Sequence, residues 1–326
     1  MGTFDSRGKS MAIIKNKKCM FFSMISIILV SSMIFFYMSN NKHSLVDEAE
    51  VIETRIMSID SFISDIDHDI ERGLYISSMR ALIGMSEFMV ENGSFFDNFD
   101  ISFNEVLLNG SVNGNQLNIT SESNLGEWMN KIVDLGDKLD LSIEFSDLYV
   151  QPYQNEPWNV KVEVSGRMIL IDNRGLVSWN RSMNITSTIS IIDFEDPLYT
   201  IITSGKYTNK IIKSNITDFV IGGDASNLIK HANNSMYLAS DIAPSFLMRF
   251  SGNLSSSDYG IESIINVDEL KFAAPDVYIA DSSSIDYIYF GNSSVGNCKV
   301  NETKTDLDWF RLDNGHLNKY EAHCES

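Results

Sequence analysis

An uncharged apolar run of twenty residues, at positions 19–38, follows a short basic head. An α-helix rises about 1.5 Å per residue, so a helix of this length spans about 30 Å, the hydrocarbon thickness of a bilayer. A buried helix of a globular protein would carry a polar stripe. This run holds only scattered serines, whose hydroxyls can bond back to their own helix. We therefore expect a transmembrane helix over residues 19–38 that attaches the chain to the membrane.

The charges that flank this run indicate its orientation. Lys15, Lys17 and Lys18 stand directly before it, and an acidic stretch containing Asp47 and Glu48 follows it. Because basic residues are retained on the cytoplasmic side, we expect residues 1–18 to form a cytoplasmic basic tail. Residues 39–326 would then be extracellular, which makes the chain a single-pass protein of the cell membrane.

The end of the run bears on whether it is removed. A secretory signal has an apolar core of about 7–15 residues before a small-x-small cleavage site. Here the core is longer and ends on the bulky residues Phe35, Phe36, Tyr37 and Met38. An uncleaved anchor is therefore favoured over a removable signal peptide.

The net charge excludes one class of partner. The chain has 25 Lys and Arg against 44 Asp and Glu. Residues 1–18 hold five of the basic residues and one acid, so 20 basic and 43 acidic residues follow. A surface this acidic repels phosphate backbones, so we expect no nucleic-acid partner. No feature of the sequence identifies a specific ligand.

Asn-x-Ser/Thr sequons indicate an outside location independently of hydropathy, and all ten of them follow the apolar run. The candidate glycosylation sites are Asn92, Asn109, Asn118, Asn180, Asn184, Asn215, Asn233, Asn253, Asn292 and Asn301. Such sequons also arise by chance in a chain rich in Asn and Ser. Their number still favours a glycosylated surface protein.

Two cysteines, Cys298 and Cys324, lie beyond the apolar run. In an oxidising compartment they are expected to form a disulfide, whose loop of about 26 residues would contribute about 3 kcal/mol in the chain-entropy estimate. Free thiols, or a metal site with His316 and His323, are the alternatives, although the spacing matches no common zinc pattern. We expect no metal and no other cofactor.

A heptad seam after the apolar run predicts a helical stalk over residues 39–92. Its apolar positions, at alternating steps of four and three, are Leu45, Ala49, Ile52, Ile56, Ile59, Ile63, Ile66 and Ile70. Two arrangements fit: self-association of the helix over residues 45–70, or packing against the protein's own β-sheet. The polar face is almost entirely acidic, so parallel stalks would repel one another, which favours packing within the chain.

Residues 93–220 are predicted to form an α+β ectodomain. The apolar residues of 101–108 indicate a strand, and Asn113-Gly114 is a hairpin turn signal. Residues 121–139 have the apolar spacing of a helix, with a serine near the start as its cap.

Three long alternating segments then predict an antiparallel meander. They occupy residues 141–151, 158–171 and 176–192, with a tight turn at 172–175. The stretch after them holds Asp193, Glu195 and Asp196. Such a cluster is typical of a solvated turn, with cation binding as the alternative.

Residues 221–326 are predicted to form a second β-rich part that contains the disulfide. A helix is expected to run to about Ala239, capped by Asp224 or Ser226. Strand-like segments follow at 246–250, 261–267, 277–279, 285–290 and 309–312. The linker signal near residue 220 is weak, so a separate domain and the completion of one sheet both stay open.

No catalytic motif stands above background. The sequence contains no phosphate-binding loop, G-x-S-x-G elbow, H-E-x-x-H or C-x-x-C. A serine–histidine pair would need His316 or His323, and a carboxylate pair would need acids such as Glu163 and Glu195 to meet in space. Among 44 acids such pairs arise without purpose, so we expect no catalytic residues and no enzymatic activity.

Five strings carry a resemblance to known proteins: EDPLY at 195–199, APSFLMRF at 243–250, YGIES at 259–263, DYIYF at 286–290 and WFRLD at 309–313. With them the chain resembles uncharacterised archaeal membrane-anchored surface proteins over most of its ectodomain. The basic head before an apolar helix is also similar to archaeal prepilin-like proteins, which usually carry Lys/Arg-Gly where this chain has Lys17-Lys18-Cys19. The resemblance implies surface display and assigns no activity to any residue.

The predicted fold is α+β. An N-terminal transmembrane helix continues into a long amphipathic helix, followed by an extracellular antiparallel-β-rich ectodomain with a few packed helices. The expected function is that of a membrane-anchored surface protein with a structural, adhesive or binding role. A pilin-like subunit of a surface filament is the first alternative, and a membrane-anchored ectoenzyme is the second.

Overall fold

A computed structural model describes the backbone of residues 12–325 and the side chains of residues 21–39 and 49–325. The chain divides into two compact units, Met1–Ser64 and Asp65–Ser326. Residues 1–11 of the predicted cytoplasmic tail lie outside the described residues, as do the side chains of Cys19 and Leu45.

Helix α1 spans Ala12–Asn92. In the first unit, its segment Phe21–Ser39 is the one described stretch long and apolar enough to cross a membrane, and none of it is buried within the protein. By length and composition this segment is suited to be a membrane anchor or a signal sequence.

The heptad positions of α1 differ in exposure along the helix. In the first unit, Ala49 is exposed but Ile59 is buried. In the second unit, Ile66, Ile70 and Leu74 are buried, and each is at most 2% exposed. This burial is compatible with packing within the chain, while packing of the helix on the β-sheet and self-association through residues 45–70 both stay predictions.

The predicted strand at 101–108 is wrong, because this segment forms helix α2, Phe99–Asn109. Phe99, Phe103, Val106 and Leu107 are buried along one helical face. The Asn98 side chain accepts a hydrogen bond from the Ile101 backbone N–H at 3.1 Å, which caps the first turn. An apolar run this short fits both the two-residue repeat of a strand and the 3.6-residue repeat of a helix. The capping bond identifies the segment as a helix.

The hairpin turn at Asn113-Gly114 is confirmed, but it joins much shorter strands than expected. These are β1, Ser111–Val112, and β2, Asn115–Gln116. Helix α3 follows at Leu125–Lys138. Its cap is the Asn124 side chain, which accepts from the Glu127 N–H at 2.8 Å, in place of the predicted serine.

The predicted antiparallel meander is confirmed. Strands β3 (Leu141–Glu156), β4 (Asn159–Asp172) and β5 (Ser178–Ser190) form one sheet in the order β3-β4-β5. The predicted tight turn closes with a 2.8 Å hydrogen bond from Gly175 N to Asp172 O, at a glycine φ of +75°. Alternate residues of all three strands are buried, so one face of the sheet packs on the core and the other faces solvent.

The C-terminal half consists of short elements. They are α4 (Pro197–Ile202), α5 (Ser226–Asn233), β6 (Tyr237–Ala239), α6 (Phe246–Arg249), β7 (Ile261–Ser263), α7 (Val267–Ala273), α8 (Asp286–Phe290), β8 (Asn297–Lys299) and β9 (Arg311–Asp313), with 3₁₀ turns at Pro275–Val277 and Asn301–Thr303. Strand β6 pairs with β7, and β8 pairs with β9, both antiparallel.

Several sequence predictions are corrected in this half. The segments 246–250 and 285–290 are helical, with buried residues at i, i+3 and i+4 (Phe246, Arg249 and Phe250 in the first). Helix α5 ends at Asn233, well before the predicted Ala239, because β6 begins at Tyr237. Its N-cap position is Ala225, which offers no capping side chain, although the predicted cap Asp224 accepts a hydrogen bond from the Ser226 N–H at 2.9 Å.

Cys298 and Cys324 lie at disulfide-bonding distance, with their Cα atoms 5.5 Å apart. This position is compatible with the predicted bond. The C-terminal segment runs beside β8, since the Glu325 N–H donates to Lys299 O at 2.9 Å and the Asn301 N–H donates to His323 O at 2.9 Å. Residues 323–325 are thereby held beside β8.

Candidate functional site

A buried arginine cluster holds α4, α6, β7 and α8 together. Arg249 Nη1 lies 2.6 Å from Asp196 Oδ2 and 2.9 Å from Asp286 Oδ2, and all three side chains are fully buried. Tyr237 OH donates to Asp196 at 2.8 Å, and Ser263 Oγ donates to Asp286 at 3.0 Å. The predicted solvated turn is therefore wrong at Asp196, which this cluster places in the core.

Burial and the neighbouring charges shift the pKa values of Asp286 and Arg249 in this cluster. Burial, together with the nearby negative charge of Asp196, raises the pKa of Asp286, although Arg249 acts against this. Burial also opposes the charge of Arg249, but Asp196 and Asp286 outweigh it and raise the arginine pKa above its ordinary value. The cluster is closed to solvent, so it positions secondary structure and offers no surface to a ligand.

A second cluster surrounds His316. Its Nδ1 lies 2.8 Å from Asp313 Oδ2, and its Nε2 lies 3.3 Å from Glu262 Oε2. Lys319 Nζ approaches Glu262 Oε1 at 2.9 Å, and Tyr320 OH donates to the same oxygen at 3.0 Å. We call these five residues the histidine cluster.

The histidine cluster is charged at neutral pH. Burial lowers the pKa of His316, but the bonds to Asp313 and Glu262 outweigh burial and raise that pKa to about 9. Burial raises the pKa of Glu262, yet His316 and Lys319 bring it down to about 2. An imidazolium with a proton on each nitrogen has no lone pair with which to accept another proton.

The structure does not bring together the residues named as candidate catalytic partners. Ser283 Oγ donates to Asp313 at 3.0 Å, and among the described contacts no serine bonds to His316 or His323. No contact between Glu163 and Glu195 is found in the described chain. No set of three or more His, Cys, Asp or Glu side chains in this part of the chain is placed to hold a metal ion.

A serine–histidine contact that the sequence did not indicate occurs in the core. His231 Nδ1 lies 3.2 Å from Ser214 Oγ, and the imidazole is fully buried against Phe219 and Tyr320. Burial lowers the pKa of His231 to about 4, so this ring is neutral. Its enclosure leaves no space beside it for a substrate.

The candidate ligand site is a cleft of about 330 Å³ in the C-terminal half. Its walls come from α7, the loop after Pro275–Val277, α8, β8 and the residues leading into β9. They present three cations, three acids and three aromatic rings, which are Lys271, Lys299, Arg311, Asp268, Asp281, Asp308, Tyr278, Tyr289 and Trp309. None of these residues was a sequence candidate, because the cleft collects single residues from separate short segments.

The charges of the cleft are arranged in pairs. Lys299 contacts Asp308, and Arg311 contacts Asp281. Lys271 Nζ lies 4.7 Å from the centroid of the Tyr278 ring, within the range of a cation–π contact. Donors, acceptors and ring faces are thus presented side by side with little net charge.

Both buried clusters and the cysteine pair fix the walls of the cleft. Tyr289 is carried by α8, which is held by Asp286, and its hydroxyl accepts a 2.7 Å hydrogen bond from the Ile279 N–H. Arg311 lies two residues before Asp313 in β9, and Lys299 directly follows Cys298 in β8. The residues that line the cleft are therefore held in place by these contacts, although few of them lie in long helices or strands.

All ten sequon asparagines are exposed. In six of the ten sequons the Ser or Thr is exposed as well. These are the sequons of Asn92, Asn180, Asn184, Asn215, Asn253 and Asn292. In the other four sequons the Ser or Thr is buried. These residues are Ser111, Thr120, Ser235 and Thr303. Every candidate glycosylation site thus has its acceptor side chain at the protein surface.

Comparison with protein-family models, with curated proteins and with solved structures finds no match to this chain.

Proposed function

We propose that this chain is a single-pass surface protein, anchored by its apolar helix with the N-terminus in the cytoplasm, and that its outside part binds a ligand. The observation that carries the anchoring is Phe21–Ser39, a 19-residue apolar helix with none of its surface buried in the protein. An exposed apolar helix of this length is stable in a bilayer and not in water. The exposed sequon asparagines and the cysteine pair support an extracellular location.

The orientation is tested by reversing the basic flank. Replacing Lys15, Lys17 and Lys18 with Glu removes the positive charge that keeps the tail inside, so we expect most molecules to invert or fail to insert. Labelling of intact cells with a membrane-impermeant amine reagent measures the outside fraction. We expect it to fall at least about tenfold.

The control for this experiment is a matched charge reversal away from the membrane. Lys131, Lys206 and Lys304 are exposed in the second unit, and their replacement with Glu should leave the orientation unchanged. Equal labelling of the flank variant and the parent would contradict the proposal. Intact mass separates the pilin-like alternative, because loss of residues 1–18 would favour a processed filament subunit.

We further propose that the cleft binds a saccharide. Paired cations and carboxylates offer donors and acceptors at adjacent points, and neighbouring hydroxyls of a sugar ring can satisfy both at once. Exposed Tyr278 and partly exposed Trp309 provide flat apolar faces for the C–H face of the same ring. A cleft of about 330 Å³ lies at the lower end of the usual range for small-ligand sites, about 300–1,000 Å³.

Replacing Lys271 with Met tests the cleft. The change removes a charged donor at the rim of the site, so we expect saccharide affinity to fall about tenfold or more. Titration calorimetry of the full chain in detergent, against a panel of neutral and acidic mono- and disaccharides, measures it.

Lys213 provides the matched control, because its Nζ also lies over an aromatic ring, 5.3 Å from the centroid of Trp158 and away from the cleft. Lys213→Met should bind as the parent does. Failure of the parent to bind any member of the panel, or equal affinity in the two variants, would overturn the saccharide proposal and leave the anchoring proposal standing.

A further inference from the structure

The two edges of the three-stranded sheet are built differently. Edge strand β3 contains Pro152 and two register shifts, after Ser146 and after Tyr153. Edge strand β5 pairs with β4 without interruption from Ser178 to Ser190 and contains neither Pro nor Gly. Prolines and bulges discourage a second chain from pairing with an edge strand, and β5 has neither.

The free edge of β5 borders an open groove of about 460 Å³. The consecutive residues 181–186 line one wall, and Asp67, His68 and Glu71 of α1 line the other. Because neighbouring residues of a strand point to opposite faces, a wall of consecutive residues exposes the backbone edge itself. Within the described residues, the strand's backbone hydrogen bonds run to β4 alone.

The composition of β5 favours pairing of this edge with another β-strand. Its second half, residues 183–190, is uncharged and rich in Ile and Thr, the residues that favour β-structure. The nearby charged residue of the strand, Arg181, is already paired with Asp67. An uninterrupted edge whose second half is uncharged is a template for a second β-strand.

We propose that N-linked glycans on Asn180 and Asn184 cover this edge and keep β5 from pairing with β5 of a second copy. Both asparagines are exposed and lie on the same face of the strand, about 14 Å apart at the usual rise per residue. Asn184 itself lines the groove. The Ser and Thr of the two sequons, Ser182 and Thr186, are exposed too, so both sequons are accessible. This inference rests on the proposed extracellular location.

The test removes the two glycans and keeps both asparagines. Ser182→Ala with Thr186→Val destroys both sequons with small changes in shape, in full-length protein made in a host that glycosylates sequons. Identical strands pair about a two-fold axis, so we expect the protein mass in detergent to rise about twofold, with larger species at higher concentration. Size-exclusion chromatography with light scattering measures this mass.

Two further variants separate edge protection from a general effect of glycans on solubility. Thr217→Val with Ser294→Ala removes two other accessible sequons and should leave the mass unchanged. Ser182→Ala with Thr186→Lys also removes both β5 sequons but places a charge on the edge, so this variant should stay monomeric.

Glycopeptide masses distinguish the two ways of failing. Absence of glycans from all ten sequons would contradict the extracellular location. Glycans at other sequons but not at Asn180 and Asn184, or a monomeric double variant made from a glycosylated parent, would overturn the edge inference alone.

Discussion

Replacing Arg249 with Met is expected to lower the free energy of unfolding by about 3–5 kcal/mol. The substitution leaves Asp196 and Asp286 fully buried without the cation that both contact. It also removes the hydrogen bond that Arg249 donates to the Ile261 carbonyl, which leaves a buried acceptor unpaired. Denaturant unfolding of the full chain in detergent, followed by tryptophan fluorescence, measures the loss.

A matched arginine tests the mechanism of this loss. Arg174 forms an exposed ion pair with Asp140, with side chains 60% and 51% exposed. Arg174→Met should therefore cost less than about 1 kcal/mol.

A rescue variant tests the same mechanism from the other side. Adding Asp196→Asn and Asp286→Asn to Arg249→Met removes the uncompensated charges while keeping most hydrogen-bonding atoms, so it should recover part of the lost stability. Equal stability of the single Arg249 variant and the triple variant would show that the buried charge is not the cause.

Replacing Gly260 with Ala is expected to cost about 3 kcal/mol or more, or to prevent folding. A Cβ at this position would lie 2.0 Å from the Ala243 carbonyl oxygen and 2.3 Å from the Ser240 carbonyl oxygen. Both obstacles are backbone atoms, so no side-chain rotation relieves them. The Gly260 carbonyl also accepts a 2.9 Å hydrogen bond from the Ser240 N–H, which holds the two segments together.

Gly296 is the control for this substitution. A Cβ there would meet nothing within 4 Å, and its φ is not in the left-handed region. Gly296→Ala should be neutral, or stabilise the fold by about 0.4–1 kcal/mol through the unfolded state. Thermal unfolding of both variants beside the parent gives the comparison, and a Gly260 variant with the parent's midpoint would contradict the steric argument.

The sheet was predictable because stretches of its strands alternate apolar and polar residues, as β4 does from Val160 to Ser165. The segments 246–250 and 285–290 were not, because a mainly apolar stretch of five or six residues fits both the strand repeat and the helix repeat when it is read alone. Each segment is held in the core by a buried charge, Arg249 or Asp286, whose partners lie elsewhere in the chain.

The cysteine pair could be predicted from the sequence, and the cleft could not. Cys298 and Cys324 are the two cysteines that follow the apolar run, so one pairing is available in that part of the chain. The cleft depends on separate short segments meeting, and the arginine cluster joins residues 53 and 37 positions apart. Neither separation leaves a local pattern, and an isolated Arg or Asp in a sequence is most often a surface residue.

Strand β7 consists of three residues, yet both buried clusters depend on it. Ile261 and Ser263 contribute to the arginine cluster, while Glu262, which points to the opposite side, belongs to the histidine cluster. The segments around the cleft therefore cannot loosen one at a time, since displacing β7 breaks two charge networks together. For the saccharide proposed above, we therefore expect binding to require little reordering of these segments, so that little of its binding free energy would be lost to ordering the protein.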